Sequence, residues 1–156
     1  MDIVPPAVRS QMMAGIKGKD TKPEMIVRRT LFAAGFRFRL HRRDLPGMPD
    51  VVLPGRKITI FVHGCFWHRH KDCDLAKLPS SNADFWRGKL DANVRRDKQA
   101  AEMLRTAGWR VLVIWECSTR GKAIHGLGAR LLKWISGDAS NGEIAGEAGG
   151  SGSTQA

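Results

Sequence analysis

The chain has 156 residues, which corresponds to about one domain. Hydrophobic residues make up 42% and charged residues 26%, an ordinary globular composition that excludes global disorder. No apolar run approaches the ~18–20 residues of a transmembrane helix, and the acidic, proline-broken start at residues 1–6 is unlike a signal peptide. A soluble, intracellular protein is therefore expected.

Basic residues outnumber acidic ones, with 26 Lys and Arg against 15 Asp and Glu, for a net charge of +11. Residues 137–156 contain three acidic residues and no Lys or Arg, so the −3 of that segment leaves +14 on residues 1–136. Such an excess indicates a polyanionic partner, most often nucleic acid. The alternative is a basic surface that only keeps the protein soluble.

The first predicted elements are a flexible arm, a helix and three strands. Residues 1–20 are expected to form the arm. A capping box at Thr21 and Glu24 begins a helix that ends before Gly35. Strict alternation over 36–40 predicts a half-buried strand, 50–53 a short strand, and the mostly apolar 57–62 a central strand.

The second half predicts a long loop, two helices and one more strand. The loop covers 63–80, and a helix begins near residue 82 or 83 and ends at Gly108. Residues 109–115 predict a strand and 123–135 a final helix. The order indicates an α/β domain over 21–136, with a mixed sheet and a right-handed crossover between parallel strands. Residues 137–156 are expected to be a disordered tail.

Asp50 is a candidate Mg²⁺ ligand, because it opens one predicted strand while Val62 and His63 close the next. Magnesium prefers oxygen ligands and keeps several waters, so one or two protein oxygens suffice. Some nucleases hold the ion in this way. Taken alone, a Pro-Asp dipeptide is more often only a turn.

A second metal site is indicated by residues 63–73, which contain three His and two Cys. The three cysteines of the chain cannot all pair with one another, which argues against a disulfide framework. Tetrahedral zinc takes four soft or borderline donors, and the chain offers four: Cys65, His70, Cys73 and Cys117. Unpaired thiols in a loop are the alternative. The zinc assignment leaves His63 and His68 free to exchange protons near neutral pH.

Three aromatic residues accompany this basic region. Phe66 and Trp67 lie outside any periodic apolar pattern, so core packing explains them poorly. Aromatic side chains beside basic residues can stack on bases or wedge between base steps. Trp86 lies on a predicted helix, where core packing is the stronger alternative.

Polar residues midway along the long predicted helix extend the candidate site. Arg95 and Arg96 can meet phosphates, and Asp97 can orient a histidine, as carboxylates commonly do. The default interpretation of such a run is a solvated, charged helix face.

These motifs, taken together, resemble the very short patch repair (Vsr) DNA mismatch endonucleases. The resemblance covers about residues 8–135, and its segments are 9–12, 20–24, 45–50, 61–68, 85–86, 93–97, 108–112 and 115–117. It implies a restriction-endonuclease-like fold of the PD-(D/E)XK type, with a mixed central sheet flanked by helices and a structural zinc site.

The resemblance also implies roles for individual residues. Mg²⁺ would bind the Asp50 carboxylate and the Val62 carbonyl, and Glu24 would assist through metal-bound water. His68 would be the catalytic histidine, supported by Asp97, with His63 beside the scissile phosphate. Zinc would be held by Cys65, His70, Cys73 and Cys117. The residues implied in DNA binding are Met13 of the arm, Phe66, Trp67, Trp86, Arg95 and Arg96.

One departure from the family pattern lies in the zinc loop, where both Lys71 and Asp72 separate His70 from Cys73 and one residue is usual. The geometry of that loop is therefore expected to differ somewhat. Val62 stands where a threonine can occur, which matters little if only its carbonyl binds metal.

By resemblance the protein is a Mg²⁺-dependent, strand-specific endonuclease that nicks duplex DNA 5′ of the thymine in a T·G mismatch, leaving a 3′-hydroxyl and a 5′-phosphate. It would act as a cytoplasmic, nucleoid-associated monomer, with other mismatch-repair proteins as candidate partners. Two alternatives stay open: a restriction-like nuclease on matched or modified DNA, and a non-catalytic, zinc-stabilised DNA-binding module.

Overall fold

A five-stranded mixed sheet lies between helices in the computed structural model, which describes residues 20–146. The strands, in sheet order and chain order alike, are β1 (Arg39–Leu40), β2 (Val51–Leu53), β3 (Ile58–His63), β4 (Arg110–Trp115) and β5 (Asn141–Ile144). The helices are α1 (Lys22–Ala33), α2 (Ala83–Thr106) and α3 (Ile124–Ser136). β1, β2 and β3 pair antiparallel, whereas β3, β4 and β5 pair parallel.

The two parallel connections each contain one helix. α2 joins β3 to β4, and α3 joins β4 to β5, which confirms the expected crossover between the parallel strands β3 and β4. The mixed α/β architecture with a central sheet flanked by helices is confirmed as well. No helix among residues 20–146 is both long enough and apolar enough to span a bilayer.

Alternate residues of β3 and β4 pack against different helices. Ile60 and Leu112 share a core with Val27 of α1 and Leu131 of α3. The opposite face contributes a smaller cluster to α2: Phe61, Val111 and Leu104. This period of two is what a sheet covered on both faces requires, and it places His63 on the α2 side.

The ends of α1 form as its sequence indicates. The Thr21 hydroxyl accepts a hydrogen bond from the Glu24 N–H at 3.3 Å, and Gly35, just beyond the helix, has φ +91°. The expected strand over 36–40 is largely wrong, because only Arg39 and Leu40 pair with β2. Phe36 and Phe38 alternate toward the core as predicted, but they do so from irregular backbone.

The expectation of disorder from residue 137 onward is wrong for β5. Its register pairs Val111 with Asn141 and Ile114 with Ile144, and the Ile144 side chain is fully buried. The segment has one large apolar residue and no periodicity, so backbone pairing along β4 rather than side-chain pattern orders it. Residues 147–156, and residues 1–19 of the predicted arm 1–20, with Met13, lie outside the described residues.

Gly142 of β5 is a position where a side chain has no room. A Cβ there would overlap the indole nitrogen of Trp134, which is 5% exposed. Gly142→Ala should therefore lower the free energy of unfolding by about 1–3 kcal/mol, the usual cost of overpacking, as measured by urea denaturation. In contrast, a Cβ at Gly126 in α3 meets nothing within 4 Å. Gly126→Ala should leave stability unchanged or raise it, and equal stability of both variants would contradict this packing.

Candidate active site and metal centre

Asp50 lies where pairing between β2 and β3 stops. The last paired residues are Val51 and Ile60, and beyond them the Val62 N–H donates to Asp50 Oδ2 at 2.7 Å. Burial raises the pKa of Asp50 to about 7, although this hydrogen bond from Val62 acts in the opposite direction. The positive charges nearby do not outweigh this burial, so an additional cation would favour the ionised carboxylate. The carboxylate is thus placed to hold a cation.

Two histidines stack beside the end of β3. His63 is the last residue of the strand, and its ring lies parallel to that of His68, with 3.8 Å between centroids. A turn brings His68 back, since its N–H donates to the Gly64 carbonyl at 3.1 Å. Asp97 of α2 approaches from the helix side, with Oδ2 at 2.6 Å from His68 Nδ1 and Oδ1 at 4.0 Å from His63 Nε2. The carboxylate therefore fixes the orientation of the His68 ring.

The two histidines differ in environment. His63 is 7% exposed, and its Nδ1 has no hydrogen-bond partner among the described residues. Burial lowers the pKa of His63 to about 3, and the neighbouring His68 acts in the same direction. His63 is therefore neutral at pH 7. His63 is therefore a poor candidate for proton exchange near neutral pH, whereas the sequence alone offered both histidines for it.

Glu24 lies within electrostatic range of this centre. Its charge raises the pKa of Asp50, while Arg28 and His68 lower it. The Glu24 side chain is buried, and its Oε1 lies 3.1 Å from Arg28 Nη2 and 3.2 Å from His41 Nε2. The pairing of Arg28 with Glu24 was predictable from their spacing of four residues on α1. No local pattern in the sequence indicates that His41 contacts Glu24.

The four candidate zinc ligands lie close together, on the side of Trp115 away from His63. The parallel register places His63 opposite Trp115, so Cys65 and Cys117, each two residues further on, also lie side by side. His70 Nδ1 is 3.5 Å from both of their Sγ atoms. With Cys73 added, one ligand atom from each residue lies within 4.8 Å of the others. The cluster forms a possible metal site.

The additional residue in the zinc loop is accommodated by the backbone. Asp72 adopts φ +56°, a left-handed conformation that an Asp tolerates better than most residues. His70 and Cys73 remain in the same cluster. Hydrogen bonding to Cys65 lowers the pKa of the Cys117 thiol, and His70 and the Gly146 N–H add to this effect.

The aromatic residues form a cluster of their own. Ring centroids of Phe66 and Trp67 lie 5.1 Å apart, and Trp86 lies 5.6 Å from Phe66 and 6.0 Å from Trp67. None of the three belongs to either hydrophobic core among residues 20–146. Phe85, which is 62% exposed, continues the cluster at 5.5 Å from Trp86. Asn93 of α2 holds the loop that contains Trp67, since its side-chain amide donates to the Trp67 carbonyl at 3.0 Å.

The basic residues of α2 lie on its exposed side. Arg95 and Arg96 are exposed, as is Lys98. Together with Gln99 they line an open concave surface on the helix. Asp97 turns away from them toward His68, so one helix presents cations to solvent and a carboxylate to the candidate site.

Comparisons with known proteins identify the family of this chain. The family model for DNA mismatch endonuclease Vsr matches residues 1–75. The DNA mismatch endonuclease Vsr of Escherichia coli (strain K12) is 39% identical over 146 residues, which cover 92% of this chain and 93% of that protein.

Two nicking enzymes are also similar. Type II nicking enzyme V.XorIIP of Xanthomonas oryzae pv. oryzae (strain KACC10331 / KXO85) is 47% identical over 116 residues, 74% of this chain and 85% of that protein. Type II nicking enzyme V.NmeAIP of Neisseria meningitidis serogroup A / serotype 4A (strain DSM 15465 / Z2491) is 43% identical over 123 residues, which cover 79% of this chain and 87% of that protein. Since similarity extends over almost the whole chain, the protein belongs to the Vsr family of DNA mismatch endonucleases and is a DNA-cleaving hydrolase.

Proposed function

We propose that this enzyme is a Mg²⁺-dependent, strand-specific endonuclease that nicks duplex DNA 5′ of the thymine in a T·G mismatch. The observation that supports this most is the convergence of a partly buried carboxyl group, Asp50, with the stacked pair His63 and His68 at one end of β3. In this proposal the chain acts as a monomer on nucleoid DNA, with other mismatch-repair proteins as candidate partners.

Mg²⁺ would be held by the Asp50 carboxylate and the Val62 carbonyl oxygen. Oxygen donors fit this ion, and a cation bound beside Asp50 would favour the ionised carboxylate against the burial that raises its pKa. When bound, Mg²⁺ would neutralise charge on the phosphate and lower the pKa of water. Glu24 supports the site through its charge, and we propose that it also orders water near Asp50.

His68 carries the proton in the proposed hydrolysis. Asp97 holds Nδ1 at 2.6 Å, so the other ring nitrogen is left for exchange with water or the leaving oxygen. Water attacks phosphorus, the bond from phosphorus to the 3′ oxygen breaks, and that oxygen leaves protonated. The products are a 3′-hydroxyl and a 5′-phosphate. The neutral ring of His63 would lie beside the scissile phosphate without adding charge.

The aromatic cluster of Phe66, Trp67 and Trp86 is proposed to insert beside the mismatch. A T·G site is weakly stacked and easily deformed, so a wedge costs less there than in matched duplex. Arg95 and Arg96, exposed on α2, would contact phosphates. The proposed entry of Met13 into the other groove concerns a residue outside the described ones.

The function is tested by nicking assays on duplexes that differ only in one T·G or T·A pair, each strand separately labelled. The wild type should cut one strand of the T·G duplex, with Mg²⁺ and not with EDTA. Asp50→Ala should abolish nicking because the metal loses its only side-chain ligand in this proposal. His68→Ala should slow nicking by ~10²–10⁴-fold, the usual contribution of a general acid–base group.

Two remote variants serve as controls. Asp138→Ala and His125→Ala remove exposed side chains of the same types and should nick at the wild-type rate. Equal cutting of T·A and T·G duplexes would favour a restriction-like nuclease. Binding without any Mg²⁺-dependent cutting would favour a non-catalytic module, and nicking by Asp50→Ala would remove that residue from the metal site.

The wedge is tested with Trp67→Ala. Base stacking on an aromatic side chain is worth ~1–3 kcal/mol, so affinity for T·G duplex should fall roughly 5- to 150-fold in a fluorescence titration. Stability should change little, because Trp67 belongs to neither hydrophobic core. Phe32→Ala removes a ring that is 65% exposed on α1 and should change neither property. A large fall in melting temperature with unchanged affinity would identify Trp67 as a packing residue.

We further propose that Cys65, His70, Cys73 and Cys117 bind structural zinc. Three thiolates and one imidazole, with no open position required, fit a closed tetrahedral site. Metal analysis of purified protein should give about one zinc per chain. Cys117→Ser should lower both zinc content and thermal stability, because zinc binding contributes directly to folding.

A matched pair of histidine variants sharpens the zinc test. His70→Ala should lose zinc, whereas His125→Ala, an exposed histidine on α3, should retain it. Wild-type protein without zinc, and with all three thiols freely titratable while folded, would contradict the site.

A further inference from the structure

Trp115 separates the candidate zinc cluster from the catalytic histidines. Its ring stacks on His70, with 4.1 Å between centroids and 8° between planes. Its other neighbour is His63, which it meets edge-on at 5.3 Å. Trp115 is 9% exposed, so one buried ring contacts both centres.

The orientation of His63 depends on such ring contacts. Its Nδ1 has no hydrogen-bond partner among residues 20–146, and its Nε2 is 4.0 Å from Asp97. The ring is therefore held by packing against His68 and Trp115, with Phe61 at 5.7 Å. Rotation of the Trp115 ring would therefore remove one of the contacts that hold the His63 ring in place.

Trp115 is itself held by a residue of β5. Its indole N–H donates to Glu143 Oε1 at 2.6 Å. Glu143 pairs with Val113 in the sheet, so its side chain lies on the same face of the sheet as Trp115, two residues along β4. His63, Trp115 and Glu143 thus form a row across three adjacent strands.

We propose that Glu143 is a positioning residue for His63 and His68, which acts through the Trp115 indole. The proposal rests on the catalytic role proposed above for these histidines. Within residues 20–146, Glu143 has no hydrogen bond or ion pair with either histidine; it fixes the angle of the indole ring, and the indole edge fixes the stacked pair. The carboxylate would therefore affect the rate of strand cleavage and not the affinity for DNA.

Three variants separate this role from simple stability. Glu143→Ala removes the acceptor, Glu143→Gln retains an amide oxygen that can accept, and Trp115→Phe removes the donor while keeping a ring. Asp138→Ala is the matched control, because it removes an acidic side chain from the same segment and has no partner within the described part of the chain. Single-turnover nicking, DNA affinity and zinc content are measured for each.

Misorientation of catalytic groups can cost up to ~10²-fold in rate, so Glu143→Ala and Trp115→Phe should each nick roughly 10- to 100-fold more slowly. Their dissociation constants for T·G duplex should stay within about twofold of the wild type. The double variant should be no slower than the slower single variant, since both changes break one hydrogen bond. Glu143→Gln and Asp138→Ala should retain the wild-type rate within about threefold.

Histidine imidazole resonances provide a readout that does not depend on nicking. In ¹H–¹⁵N spectra, Glu143→Ala should move the Trp115 indole signal and the ring signals of His63 and His68, whereas Asp138→Ala should move none of them. If the wild type fails to nick T·G duplex, the proposed function fails, and these shifts still decide whether Glu143 positions the rings.

Four results would overturn the proposal. One is a wild-type rate in Glu143→Ala although the indole signal has moved. A second is unchanged His63 and His68 signals in that variant. A third is a parallel fall in rate and DNA affinity, which a structural defect would produce. The fourth is loss of zinc from Glu143→Ala, since the effect would then pass through His70.

Discussion

The parallel pairing of β3 with β4 is the constraint on which both centres depend. It places His63 opposite Trp115, and this register also fixes where the residues that follow each strand begin. Cys65 and Cys117 meet because each follows its strand by the same number of residues. A shift of one residue would turn Trp115 to the opposite face of the sheet and separate the two thiols. One set of backbone hydrogen bonds therefore holds together residues that are about fifty positions apart.

Few hydrogen bonds hold the partly buried Asp50 and the buried His63. The carboxyl group has one backbone donor, and the His63 Nδ1 has no partner among the described residues. The sheet can hold such groups because hydrophobic packing against α1, α2 and α3 supplies its stability elsewhere. The same burial that leaves Asp50 reluctant to ionise strengthens its attraction for a cation, since charges interact more strongly where water is excluded.

Local signals in the sequence predicted most of the fold. The capping box at Thr21 and the apolar run of 57–62 lie within the elements that they indicate, so the first helix and the central strand were predictable. β5 was not, because a single buried residue, Ile144, gives no period, and its order comes from a strand some thirty residues away. The same reason applies to the site: the cysteines and histidines were visible as residue types, but Trp115, Glu143 and His41 act only through distant contacts.

The position of β5 in the chain has a consequence for synthesis. Every other described element precedes it, so a ribosome releases residues 141–146 last among them. Until then the Trp115 indole N–H has no Glu143, the Cys117 sulfur has no Gly146 N–H, and Arg130 has no Ala145 carbonyl to bind. A nascent chain that stops before β5 therefore has all the catalytic candidates and lacks the contacts that enclose them. The contacts of Trp115, Cys117 and Arg130 with this segment therefore form only after β5 has been synthesised.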